Sequence, residues 1–300
     1  MSPALPMEGE GLGRKGGMRE ALYYEKLGLK SVKCHLCPYE CQISDGNKGS
    51  CGVRTNIDGT LFSEVYGKTT GISLDPIEKK PLYHYHPGEQ ILSVGTKGCN
   101  FHCDFCQNWR ISQVLDAPTN DISSEEIIKK ALDLKSFGIA YTYNEPFIWY
   151  EFVLDTAKLA KKKGLENVLV TNGFVNMEPL RGMLPFIDAM NIDLKSFNED
   201  FYIKVCKGRL KPVLEVIKAS AKSCHVELTT LLITALNDSE EEITRLVNWV
   251  YETLGPEVPL HFSRYFPCYN MELPPTPVES LKRAEKIAKS KLKYVYLGNV

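Results

Sequence analysis

Gly98-Cys99-Asn100-Phe101-His102-Cys103-Asp104-Phe105-Cys106-Gln107-Asn108-Trp109 sets three cysteines in a C-x3-C-x2-C spacing, with an aromatic residue just before the third. Three thiolates on one short loop can bind three irons of a [4Fe–4S] cube and leave the fourth without a protein ligand. Cubes that only carry electrons take four cysteines. An open iron is a binding position, by the logic that separates open catalytic zinc sites from closed structural ones. A zinc site or a disulfide loop is the plainer alternative for Cys99, Cys103 and Cys106.

The surroundings of the loop favour the cluster. Ile91-Leu92-Ser93-Val94-Gly95 reads as a strand feeding straight into it, and β-α units follow it along the chain. Ile122–Ile127 opens a helix, with Ser123 as cap and Glu126 three residues on. This helix is expected to run to Phe137 and stop at Gly138. Strands are expected at 139–143, 167–171, 190–194, 225–232, 260–263 and 294–297. Helices are expected after Pro146, around 178–184, between Pro212 and Ser223, after Ser239, and after Thr276-Pro277. Six to seven such units with right-handed crossovers predict a parallel α/β barrel, or an open part of one, with a doubly wound sheet as the alternative. In a barrel the chemistry sits at the C-terminal strand ends, where the cysteine loop falls.

Composition narrows the class. The chain has 300 residues, 43% of them hydrophobic, and a formal net charge of −1. That charge makes no electrostatic case for nucleic acid or an anionic membrane. No apolar run reaches the roughly 18–20 residues of a spanning helix. The first 20 residues, rich in Gly and charge, lack the apolar segment of a secretory signal, so a cytoplasmic protein is expected. Seven of the ten cysteines fall in two tight groups, which suits metal ligands better than a disulfide framework.

The second group is Cys34, Cys37, Cys41 and Cys51, spaced C-x2-C-x3-C-x9-C, with Gly46 and Gly49 inside the last interval. Four thiolates fit a closed tetrahedral zinc site and equally a second [4Fe–4S] cluster. The shortness of the module favours zinc; a disulfide pair is the plain alternative.

The loop resembles the signature of radical S-adenosylmethionine (SAM) enzymes. The resemblance implies that the open iron takes the amino and carboxylate groups of SAM. It implies that Phe105 lies near the adenine, and it favours an open six-stranded, TIM-like barrel. It also implies roles for other strand ends. Glu145, in Tyr143-Asn144-Glu145, stands where the family often has Gly-Gly-Glu and where a carboxylate receives the SAM ammonium; a helix-start carboxylate is the plain reading. Thr171 and Asn172 resemble the Thr-Asn-Gly segment of glycyl-radical activating enzymes, with Val170 where those enzymes often carry an acid. Asp193 and Lys195 end the next strand, either as an ion pair or as SAM contacts. His261 and Arg264 are further candidates. His102 and Asp104 are expected to face solvent or to tune the cluster, and Trp109 to pack the loop.

The two cysteine groups, together with Asp75–His84, Tyr143–Pro146, His261–Tyr265 and Tyr294–Val300, narrow the resemblance. It points to the AmmeMemoRadiSam system radical SAM enzymes, relatives of pyruvate formate-lyase activating enzyme, from about Cys34 to the end. Those relatives commonly continue into a further cysteine pair, whereas this sequence ends at Val300. The expected layout is a flexible tail over 1–25, the four-Cys module and connector over 26–90, and the radical SAM core over 91–300. The resemblance implies a flavodoxin or ferredoxin electron donor, a protein or peptide substrate that includes a glycyl-radical enzyme, and Memo-like and AMMECR-like partners. The rival class is a non-catalytic iron–sulfur or zinc protein that carries electrons or scaffolds a complex.

Overall fold

The computed structural model describes residues 13–15 and 17–300. Its centre is an eight-stranded sheet, and seven of its strands run parallel. These are β2 (Gln90–Gly95), β3 (Gly138–Tyr141), β4 (Glu166–Thr171), β5 (Ala189–Asp193), β6 (His225–Leu232), β7 (Leu260–Arg264) and β8 (Val295–Gly298). They lie side by side in chain order, and β1 (Gly71–Pro76) pairs antiparallel on the outer edge of β2. A doubly wound sheet reverses its strand order at a switch point. This one never does, so the sheet curls one way, as an open barrel. Among the described residues the edge strands β1 and β8 do not pair with each other.

The helices start and stop largely where local chemistry predicts. Ser123 and Glu126 form a reciprocal capping box on α1 (Ser124–Asp133). That helix ends earlier than expected, because Lys135 adopts a left-handed φ of 54°. Gly138 instead opens β3, where an added Cβ would lie 2.4 Å from the Glu166 carbonyl. The other main helices are α2 (Tyr150–Lys162), α3 (Met177–Met183), α4 (Leu210–Ser220), α5 (Glu240–Leu254) and α6 (Val278–Lys289). Thr276 does not cap α6. Its hydroxyl donates to the Leu232 carbonyl and ties the helix start to the end of β6.

The expected tail is shorter than 25 residues. Met18–Glu20 pairs with Thr60–Ser63, and Tyr24–Lys26 pairs with Val32–Cys34. The first twelve residues lie outside the described part of the chain. Around the four cysteines, short antiparallel strands build a small β module packed on the barrel. Its Arg54 is buried against Glu151 of α2, with Nη2 2.5 Å from Oε1.

A strap over residues 77–89, between β1 and β2, seals the N-terminal mouth of the barrel. The Pro81 carbonyl accepts from Asn191 of β5, the His84 N–H donates to Glu227 of β6, and the His84 ring meets the Tyr296 hydroxyl of β8 at 2.6 Å. Ile77 and Leu82 fill the space beneath, against Ala140, Val168 and Ala189. Glu227 is the hub. Burial alone would raise its pKa, but donors from His225, His261 and the His84 and Tyr83 backbones outweigh burial and hold it at about 2.

A depressed carboxylate pKa stabilises the fold above its unfolded value and ceases to do so as pH falls through the folded one. From an ordinary 4.5 to about 2, this contribution is on the order of 3 kcal/mol. In urea unfolding followed from pH 5 to pH 2, Glu227→Gln is expected to lose stability less steeply than the unaltered chain. Parallel acid limbs would contradict the assignment of Glu227 as the hub.

Candidate active site

The C-terminal ends of the strands surround a cavity of about 590 Å³. The cysteine loop leaves β2 and forms one wall, so Cys99, Cys103 and Cys106 line the same space. The loop has little regular structure, and long-range hydrogen bonds shape it. The N–H of His102 donates to the Cys206 carbonyl and that of Asp104 to the Val205 carbonyl, both at 3.1 Å. Asn100 is buried, donates to the Phe174 carbonyl at 2.7 Å and accepts from Asn172 at 2.9 Å. Phe101 packs on Phe174 with ring centres 4.9 Å apart.

Every proposed barrel residue up to Asp193 reaches this cavity: Phe105, Glu145, Thr171, Asn172 and Asp193 all line it. Glu145 is less free than a pure ligand would be. Its Oε1 accepts from the Phe147 N–H and the Thr171 hydroxyl, and its Oε2 from the Asn172 N–H. Burial still dominates and lifts its pKa to about 7. The carboxylate therefore starts the turn after β3 and also ties β3 to β4, with one wall of the cavity as its remaining outlook.

Lys195 stands opposite, 2.8 Å from Asp193 and 5.8 Å above the Phe105 ring centre. Burial disfavours its charge, but Asp193 and the nearby Cys103 and Cys206 sulfurs outweigh burial and raise its pKa. His261 lines the cavity from below and points Nε2 at Glu227, 2.6 Å away. Arg264 does not join it. It donates to the Thr276 carbonyl, stacks over Phe266 and is absent from the cavity wall. Along β7, residues 261 and 264 differ in parity and so point to opposite faces.

The flanking residues of the loop have partners. His102 is half-buried: Nδ1 meets Gln113 at 2.8 Å, and Nε2 meets Ser50 at 3.1 Å. Asp104 pairs with Lys207, and Trp109 stacks on Tyr269.

Three features were not evident from local sequence. Cys206 is fully buried behind Cys103 and donates to its sulfur; that hydrogen bond and the Lys195 cation lower the Cys103 pKa. Cys206 is not on the cavity wall. Asp75 on β1 accepts from Lys80 at 2.9 Å and from Tyr143 at 3.0 Å, closing the wall away from the thiols. Tyr143 itself sits at a φ of 75°, a backbone state that favours glycine. Tyr143 carries that conformation through its hydroxyl bond and Lys80, 4.9 Å over its ring.

Comparison with known proteins agrees with this geometry. Residues 93–250 match the Radical SAM superfamily. An uncharacterised protein of Methanocaldococcus jannaschii is 47% identical over 94% of this chain and 86% of its own. The pyruvate formate-lyase-activating enzyme of Clostridium pasteurianum is 26% identical over 54% of this chain and 69% of its own. The crystal structure of Streptococcus suis SuiB bound to S-adenosylmethionine superposes with a TM-score of 0.55 at 12% identity, over 70% of this chain and 52% of that one.

The chain therefore belongs to the Radical SAM superfamily, a family that implies a [4Fe–4S] cluster and SAM. The donor set fits. Three thiols share one wall with open space before them, and no fourth thiol enters it.

The loop also depends on room beneath Phe101. A Cβ added to Gly208 would stand 2.2 Å from that ring, which is buried and has no space to yield. Gly208→Ala is expected to cost about 1–3 kcal/mol by overpacking and to lower the iron retained after anaerobic reconstitution. Unchanged melting temperature and iron content would show that the loop is not braced there.

Proposed function

We propose that Cys99, Cys103 and Cys106 hold the three cysteine-bound irons of a [4Fe–4S] cluster, and that the chain cleaves SAM reductively. The observation that carries this reading is the three-thiol wall: three cysteines face one cavity at the barrel's C-terminal end, while Cys206 lies behind them. The bound cluster and SAM supply the chemistry, an electron and a 5′-deoxyadenosyl radical that takes hydrogen from a substrate. The protein supplies placement. Glu145 and the Thr171-Asn172 edge orient the methionine end, Phe105 flanks the adenine, and Asp193 with Lys195 gives a charged pair on the same wall. The strap below and the aromatic packing around Phe101 keep water out.

A protein or peptide glycine is the substrate class we favour, by analogy with the activating enzymes this chain resembles in sequence. Flavodoxin or ferredoxin is the matching electron donor class. The four-Cys module and the 75–84 segment favour membership of the AmmeMemoRadiSam system, with Memo-like and AMMECR-like proteins as partners. A cytoplasmic location is part of the same proposal; no helix among the described residues is long and apolar enough to cross a membrane.

Reconstituted anaerobically and supplied with SAM and dithionite, the chain is expected to release 5′-deoxyadenosine and methionine. Cys103→Ala is expected to lower that release at least 100-fold, whereas Cys206→Ala keeps its iron. An intact cluster that yields no 5′-deoxyadenosine would favour the electron-carrying alternative instead.

A further inference from the structure

The four thiols of the N-terminal module line one small enclosed hollow together with Leu36, Ile43, Arg54 and Ile148. Its volume is about 20 Å³, more than the roughly 10–15 Å³ that one water-sized sphere needs. A tetrahedral zinc ion draws four sulfurs to about 2.3 Å from one point. No sphere of that size fits among sulfurs so close. In a cubane each thiolate takes its own corner iron, so the sulfurs stand back from the centre. Metal–sulfur bonds are also shorter than the contacts that bound an empty hollow, so the space measures smaller than the group that fills it.

The backbone is arranged for four anionic sulfurs. The Ser50 N–H donates to Cys41 Sγ at 3.4 Å. The N–H groups of Leu36, Tyr39 and Val53 face the sulfurs of Cys34, Cys37 and Cys51. Beside them lies Arg54, 1% exposed. One guanidinium nitrogen is spent on Glu151 and the Leu22 carbonyl. Its Nε and Nη1 find no partner in the protein. A buried donor left over next to four thiolates calls for a reason, and a cluster of net negative charge provides one.

The hollow also abuts the loop that follows β2. Ser50, whose N–H serves Cys41, meets the His102 ring through its hydroxyl and its carbonyl. A methyl on Gly98 would come within 2.7 Å of the Cys51 carbonyl. Tyr39 packs edge-on against Phe174, whose carbonyl accepts from Asn100 of that loop.

From these observations we infer that Cys34, Cys37, Cys41 and Cys51 bind a second, fully ligated [4Fe–4S] cluster, seated against the first as an electron store. Reduced once by a low-potential carrier protein, it returns to its oxidised state when it passes that single electron to the cluster at Cys99, Cys103 and Cys106. The electron step rests on the radical SAM reading; the metal assignment stands without it.

Metal analysis of the full chain after anaerobic reconstitution tests the assignment. The expected content is about eight irons and eight sulfides with no zinc. About four irons with one zinc, or four irons alone, would overturn it. In the chain carrying Cys99→Ala, Cys103→Ala and Cys106→Ala, about four irons should remain. If that variant misfolds by circular dichroism, the count on the unaltered chain decides. Electron paramagnetic resonance of the dithionite-reduced chain should show signals broadened by the neighbouring spin, and a single sharp signal in the triple variant. Two independent sharp signals in the unaltered chain would overturn the seating. Eight irons with no SAM cleavage would refute the radical reading and leave the second cluster in place.

Discussion

Three thiols can share one wall only if the loop that carries them is held by its own backbone, and the rest of the cavity is organised around that need. The loop forms no strand or long helix of its own, so its N–H groups must be satisfied from outside. His102 and Asp104 donate to carbonyls of the π-helical turn Tyr202–Cys206, and Asn270 donates back to Asp104. These partners come from residues about one hundred positions later, after the fifth strand, and from the loop after the seventh. The cysteine wall thus exists only when much of the barrel has closed round it. A loop secured by such distant contacts has its sulfurs placed by the closed fold.

The α/β architecture was legible because each β-α unit carries its own local signals. Ser123 and Ser239 cap, Gly164 and Gly255 terminate, and the apolar runs between them are short and regular. The order of strands follows from simple succession. What local sequence conceals is contact at long range. The strap at 77–89 looks like a polar linker, yet it finds its partners on β4, β5, β6 and β8. Cys206 looks like a scattered thiol until the π-turn sets it behind Cys103. Arg264 was placed by which end of the strand it occupies, but the parity of the strand decides the face, and it points away.

Tyr143 shows how one residue in a left-handed backbone state draws its surroundings together. The turn after β3 needs a positive φ, and glycine meets that need at no steric cost. A tyrosine in that conformation costs on the order of 1–3 kcal/mol, which must be offset locally. Its hydroxyl reaches Asp75, Asp75 holds Lys80, and Lys80 returns over the tyrosine ring. The Asn108 amide fixes its carbonyl at 2.6 Å. Strand β1 and the strap are thereby drawn into the cavity wall. The segment Asp75–His84, which accompanies the cysteines in the sequence, accordingly has a structural reason to do so.

The same coupling explains why the small β module belongs with the barrel instead of hanging from it. Burying the Arg54–Glu151 pair is expensive unless its hydrogen bonds are completed. They are completed only in part: Glu151 spends Oε1 on the Leu22 N–H as well as on Arg54, while its Oε2 and the Arg54 Nε and Nη1 find no partner in the protein. The Oε1 bonds join the module's first strands to the helix that follows Glu145. Ser50 then bridges Cys41 to His102 across the boundary. The two sets of thiols are thereby joined through Ser50 and His102 at the edge of the module. The module is therefore packed against the loop that carries Cys99, Cys103 and Cys106, with the Cys51 carbonyl close to Gly98.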